Sequence, residues 1–480
     1  MALTLVQTKN GPVQGLAIAG EDRTVFWGIP YAQAPVGTLR FQAPQPPLDW
    51  EGVRLCTQKP AACVQVDRRR PELPYPISED SLYLNVFTPA KTAEEKLPVL
   101  YWIYGGGFQN GYSASPEFDG AAFNGQGCIL VTVNYRVNAL GFFNTPDLDA
   151  KGYGGNLGLK DQLAGLKWVQ ENIAAFGGDP ERVTVFGQSA GGMSTRMLLT
   201  SPLSEGLFSR AIIESGGGLN EADPVRTRED FLKLCQDCLD ILGWTTEDLM
   251  TRDALEILRE IDKAVHQVIP GFAVGYFQPY IDGEVLTDVP GKLIKAGKYR
   301  NIPLMVGTVA GDSWMFSVHV KDAFSGQMEY FRGFSYAAGQ AWAQNNLACG
   351  YQPIRCFYMD RKQPMDGRPK FAHGGPPFGG ETPHSSEIPY VFGTLAAKSD
   401  GFSAYDYEIS RLANTYWANF ARTGDPNGEG LPQWPLYTEG WELTMHFGNE
   451  TCQAENVVLS EKEQEAIDRT IQNPGLLVEW

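Results

Sequence analysis

The chain is short of several things, and each shortage removes a class of function. Nowhere in its 480 residues is there an apolar run of about 18, so no membrane-spanning helix is expected. The opening stretch, residues 1–15, lacks both the basic and the apolar segment of a secretory leader, so the expected setting is cytoplasmic. Cations are scarce: 39 Lys and Arg stand against 56 Asp and Glu, a formal net charge of −17. Phosphate backbones and anionic lipid surfaces repel such a polyanion, so neither nucleic acid nor membrane is an expected partner. The basic cluster Arg68, Arg69 and Arg70 reads as an exposed loop before Pro71. Cysteines number only 8, too few for a disulfide scaffold, which fits free thiols in a reducing compartment. Cys235 and Cys238 form a C-x-x-C without a second pair at metal-ligand spacing. In FLKLCQDCLDIL their spacing puts both on one helix face, as core. Repeats and compositional breaks are also missing, so one domain over 1–480 is expected.

Hydrophobic residues, at 43%, are ample for a large core. Residues 99–104 (VLYWIY), 128–134 (CILVTVN), 183–186, 211–214 and 303–306 read as buried strands. Between the second and third, Leu159, Leu163, Leu166, Val169 and Ile173 fall at helical steps within 157–176. Gly177, Gly178, Asp179 and Pro180 end that helix. Another opens at Ala190 and closes near Thr200, before Pro202. Strands alternating with helices predict an α/β protein, a mostly parallel sheet covered on both faces. Helical insertions at about 221–270 and 320–355 are expected over the carboxyl edge of the sheet, where such folds bind ligands.

One short motif asks for a chemical reading. VTVFGQSAGGMS contains Gly187-Gln188-Ser189-Ala190-Gly191, a G-x-S-x-G. In a chain with 53 glycines the pattern arises by chance about 0.2 times, so it is weak alone. Its setting, strand before and helix after, is the one a nucleophile elbow requires. A serine needs a base, and the chain has only 5 histidines. His266 lies in a helical insertion, His319 only seven residues from Asp312 on the same local element, and His446 in a late strand-like stretch. His373 and His384 flank the Gly/Pro loop 374–380. His384, in ETPHSSEIPYVFG, is favoured, with His373 its competitor. Asp312, just past strand 303–306, is the candidate acid, because Ser189, Asp312, His384 is the chain order of an α/β-hydrolase. After strand 99–104, Gly105, Gly106 and Gly107 let backbone amides approach a carbonyl. A dinucleotide loop fails there because Asn110 occupies the third glycine position. GDPNGEG (424–430) lacks calcium-loop spacing and reads as a turn.

Many ordered blocks together resemble the type-B carboxylesterase family, which includes cholinesterases, bacterial p-nitrobenzyl esterases and fungal lipases. Among them are GIPYAQAPVGTLRF (28–41), SEDSLYLNVFTP (78–89), YWIYGGGF (101–108), the stretch 156–192, FQPYIDGEVL (277–286), HSSEIPYVFG (384–393) and WANFARTGDPNGEGLPQWPLY (417–437). The chain is closest in character to the bacterial p-nitrobenzyl-esterase-like members. The resemblance implies an α/β-hydrolase fold, with Ser189 as nucleophile and His384 as base. It implies oxyanion amides from Gly106, Gly107 and Ala190, and structural ion pairs Arg40–Glu79 and Arg136–Asp161. Asp312 stands where relatives usually carry Glu, so its shorter side chain must start from a closer backbone. Relatives commonly read EDCLYLN, with that cysteine in a disulfide. Ser81 here cannot form it, which again implies an intracellular protein. Gln188 replaces a Glu common before the serine, which argues against a choline-ester specialist.

The expected activity is hydrolysis of small neutral or aryl esters, hydroxycinnamoyl esters among them, without metal or cofactor. Phe108 and Trp314 are candidate apolar pocket residues, and Gln109 and Gln188 candidate polar contacts. The expected partner is a small-molecule ester, and the expected assembly a monomer or small homo-oligomer. A lipase acting on acylglycerols and a non-catalytic adhesion protein on the same fold are the alternative readings.

Overall fold

Runs of buried β-branched and aromatic residues build a central sheet, because a strand covered on both faces needs no polar alternation. The computed structural model describes residues 3–66, 73–217, 219, 226–269, 277–312, 328–364, 382–456 and 461. Among these, eleven strands form one sheet. In chain order they are β1 Leu16–Ala17, β2 Thr24–Pro30, β3 Tyr83–Thr88, β4 Leu97–Ile103, β5 Ile129–Val133 and β6 Gly178–Gln188. The rest are β7 Arg210–Glu214, β8 Leu304–Val309, β9 Arg355–Met359, β10 Thr444–Phe447 and β11 Cys452–Glu455. In space they run β11-β10-β9-β8-β7-β6-β4-β5-β3-β2-β1. From β5 to β10 all neighbours are parallel, and both margins are antiparallel. This is the mostly parallel sheet of an α/β-hydrolase fold.

The five strands read from sequence are present, with ends that move by up to five residues. The unread β2 carries Gly28 and Pro30 and shifts register between Phe26 and Ile29, which hides its pattern. β9 opens on the buried Arg355, whose Nε donates to the Trp434 carbonyl at 3.2 Å. Six longer helices accompany the sheet: α1 Leu157–Asn172, α2 Ala190–Thr200, α3 Arg228–Leu242, α4 Ala254–Val268, α5 Met328–Ala348 and α6 Ala404–Thr423. α3 and α4 pack on each other, and Cys235 and Cys238 of α3 are buried free thiols. α5 packs against β8 and β9 and is the crossover that joins these parallel neighbours, where sequence alone suggested a helix over the sheet edge. No helix among the described residues is long and apolar enough to cross a membrane.

Two ion pairs fix the scaffold around the sheet's carboxyl edge. Arg136 grips Asp161 at 2.8 and 2.7 Å through Nε and Nη2, both residues buried. Arg40 holds Glu79 at 2.6 and 2.7 Å, and its Nη1 donates to the Leu249 and Arg252 carbonyls. The latter pair therefore ties the helical insertion to the body of the protein.

Ser81 has a partner that sequence reading did not supply. Its hydroxyl lies 3.1 Å from the Cys63 thiol, 18 residues away, and both are buried. A cysteine at position 81 would therefore face the Cys63 thiol. Ser81→Cys, once oxidised, is expected to close that loop and add about 3 kcal/mol of stability. Thermal unfolding with and without reductant checks this, and equal midpoints refute it.

Candidate active site

The site begins at the end of β6. Ser189 takes φ 57° and ψ −125°, a conformation costing an L-residue roughly 1–3 kcal/mol. The surroundings enforce it: the Ser189 N–H donates to the Glu214 carbonyl at 2.9 Å, and the Ser189 carbonyl receives the Met193 N–H at 2.8 Å. A side chain at Gly191 would collide with the Ile103 carbonyl, so only glycine lets α2 start this close to β4. Gln188 and Ala190 are buried while Ser189 stays partly exposed, so the turn presents one residue to solvent.

His384 and Asp312 come together across 72 residues of sequence. Gly311 and Pro383 form an isolated parallel bridge, which lays the loop after β8 beside the loop carrying the histidine. That is the closer backbone an aspartate needs. His384 Nδ1 lies 2.6 Å from Asp312 Oδ1, and Oδ2 accepts the Val309 N–H at 2.9 Å. Both side chains are more than nine-tenths buried. Burial disfavours the imidazolium, but the Asp312 hydrogen bond and charge, joined by Glu387 whenever that carboxyl is ionised, outweigh it, so His384 sits above its ordinary range. With Nδ1–H turned to the carboxylate, the bare Nε2 accepts from the Gln188 amide N–H at 3.2 Å. Ser385 completes the arrangement by donating to Gln188 Oε1 at 3.0 Å. Gln188 is therefore buried, with both ends of its carboxamide occupied. Ser189 Oγ makes no hydrogen bond among the described residues.

The glycine loop faces the serine. A Cβ on Gly105 would lie 2.6 Å from the Gln188 carbonyl and 2.8 Å from Ser189 Cβ, so the loop and the elbow are in direct contact. The amide N–H groups of Gly106, Gly107 and Ala190 donate no hydrogen bond among the described residues, and Gly106 is exposed. Unengaged backbone amides are the kind of donor that can stabilise a developing oxyanion.

The remaining candidates are used otherwise or lie elsewhere. Phe108 is buried edge-on against Phe142, with centroids 5.5 Å apart, so its ring faces core instead of solvent. Gln109 spends its amide N–H groups on the Gly107 and Phe277 carbonyls. His446 is held between Asp360 and Glu455. His266 lies on α4. Trp314, His319, His373, the cluster 68–70 and the loop 374–380 lie outside the described residues. Ser385, which sequence reasoning missed, carries a signal only in retrospect: it adjoins His384 and takes a positive φ of 70°.

The chain is similar to known proteins along most of its length. The profile of the carboxylesterase family matches residues 2–364 and 356–466. The para-nitrobenzyl esterase of Bacillus subtilis is 36% identical over 97% of this chain and 98% of its own. The cocaine esterase of Homo sapiens is 34% identical over 90% of this chain and 86% of its own. Among solved structures, a thermophilic PNB esterase superposes with a TM-score of 0.81 at 33% identity, covering 96% of this chain and 99% of that one.

Proposed function

The chain belongs to the carboxylesterase family and is a carboxylic ester hydrolase, and we propose that Ser189, His384 and Asp312 carry its reaction. His384 Nε2 takes the Ser189 proton as Oγ attacks the ester carbonyl. The oxyanion is held by the amides of Gly106, Gly107 and Ala190. His384 returns the proton to the departing alcohol, and water then cleaves the acyl-enzyme by the same route. Asp312 fixes the tautomer and supports the imidazolium. The observation that carries this reading is the 2.6 Å contact of His384 with Asp312 beside a strained serine and three free amides. The Gln188 N–H must leave Nε2 for the serine proton to arrive, and such rearrangement on substrate binding is ordinary for a substrate-free site.

The substrates are small neutral or aryl esters, hydroxycinnamoyl esters among them. Gln188 gives the site no carboxylate beside the serine to attract a cationic alcohol. The name of the Bacillus subtilis relative points to an aryl-containing ester as well. The setting is cytoplasmic, supported by eight free cysteines and by Ser81 in place of a bridging partner. Stopped-flow hydrolysis of p-nitrophenyl acetate tests the two-step route. A burst of one nitrophenol per chain, with an acyl mass on the peptide containing Ser189, is expected. Acylation of any other residue refutes it.

A further inference from the structure

Two buried carboxyl groups sit behind the serine and the histidine, and the reaction above does not use them. Glu214 ends β7, and its Oε1 receives the Trp417 indole N–H from α6 at 2.7 Å. Glu387 follows His384 by three residues, and its Oε1 receives the Ser215 hydroxyl at 3.3 Å. Both are buried, and the Oε2 of each has no hydrogen-bond partner among the described residues. Neither forms a salt bridge among the described residues. The surrounding elements offer little charge. Glu214 lies in register between Gln188 of β6 and Gly307 of β8. Arg196, the cation of α2, lies beside Gly217 and reaches neither carboxyl. The charged groups acting on Glu387 are Asp312, Glu214 and His384. If both glutamates were ionised, Glu387 would face the carboxylates of Asp312 and Glu214 in a desolvated space, an arrangement that burial strongly disfavours.

We propose that Glu214 and Glu387 work as neutral carboxylic acids beneath the serine and histidine, leaving Asp312 the one anion that acts on His384 at neutral pH. Their ionisation at alkaline pH then raises the proton affinity of the base. The second statement rests on the proposed role of His384, whereas the first does not. Burial pushes both acids up to about 8. Asp312 and Glu214 add to this at Glu387 while His384 opposes it, and Trp417 opposes it at Glu214.

The sign for stability follows. Each group keeps its proton to about pH 8 when folded, but only to the ordinary carboxyl range when unfolded. Across that window the folded state binds more protons, so stability is fullest below it and is lost as pH rises to about 8.

Thermal midpoints from pH 5 to 9 therefore fall in the parent protein and fall less steeply in Glu214→Gln and Glu387→Gln, whose amides never ionise. Equal slopes overturn the proposal. Infrared difference spectra at pH 7 provide a second readout on any folded variant. A protonated carboxyl stretch lost on either substitution is expected, and a carboxylate band lost instead is contrary. The pH dependence of Ser189 phosphonylation separates this idea from the triad reading. The acid limb should stay in place in Glu387→Gln. An acidward shift of about one unit or more would mean that Glu387 is an anion. Absence of phosphonylation in the parent would instead strike the triad reading alone.

Discussion

Ser189→Ala is expected to lower p-nitrophenyl acetate hydrolysis by about 10⁴–10⁶-fold, with the fold intact. Knocking out the nucleophile of a serine hydrolase forfeits the covalent route, and losses near 10⁶ are known for such sites. The change removes one oxygen that holds no hydrogen bond among the described residues, so none of them loses a partner. Alanine meets the same strain at φ 57° as serine does, because both carry a Cβ. The thermal midpoint should therefore stay within a degree or two. What survives in the variant is the free-amide cradle, which by itself sustains roughly 10³–10⁴-fold catalysis over water. Activity within tenfold of the parent would sink the mechanism. A large loss accompanied by collapse of the midpoint would show that the serine is structural.

Asp312→Asn is expected to cost about 10⁴-fold in kcat, a figure typical of this substitution in triads. The structure supplies a specific reason. Oδ2 accepts the Val309 N–H, so the asparagine carbonyl must occupy that position and the amide NH₂ must face His384. Nδ1 then has to accept, and Nε2 carries the proton, which is the wrong tautomer for taking another from Ser189. The carboxylate that offsets burial is lost as well. His384 then falls from above its ordinary range toward what burial alone imposes, and the acid limb of any residual kcat/KM moves to lower pH. Hydrolysis rates from pH 5 to 9 check both effects. A loss under threefold would assign the acid elsewhere.

The parts of the fold legible in the sequence are those whose code is local. The strands around the serine are continuous apolar runs, and α1 repeats its apolar residues at helical steps, so both declare themselves within a few residues. The margins of the sheet are different. β2 is broken by Gly28 and a register shift, and β9 begins with a buried arginine whose partner lies 79 residues away. α5 reads as a helix but not as a crossover, because the strand it leads to was itself unread. At the site the same division holds. The elbow and the glycine loop are written in short motifs, and chain order with a short roll of histidines picks out His384 and Asp312. The occupation of His384 by Gln188, and of Gln188 by Ser385, has no sequence signature, since it depends on where two distant loops place their side chains. Phe108 illustrates the converse. An aromatic beside a glycine loop suggests a pocket wall, but the positive φ of 60° at Phe108 aims the ring at Phe142.

The bridge between Gly311 and Pro383 bears on how such a protein can change. It fastens the two ends of a long excursion to each other immediately beside the acid and the base. Closing a loop of any length at its roots makes the geometry there nearly independent of what the loop contains, because closure entropy grows only with the logarithm of length. Insertions and deletions in the parts of the intervening chain outside Asp312, α5 and β9 can then alter which molecules are accepted while the proton-handling pair keeps its alignment. Specificity and chemistry are in this sense separately inheritable, and a library diversified between those two anchor points with Asp312, α5 and β9 left unchanged should retain hydrolytic competence far more often than one of equal size placed across the anchors.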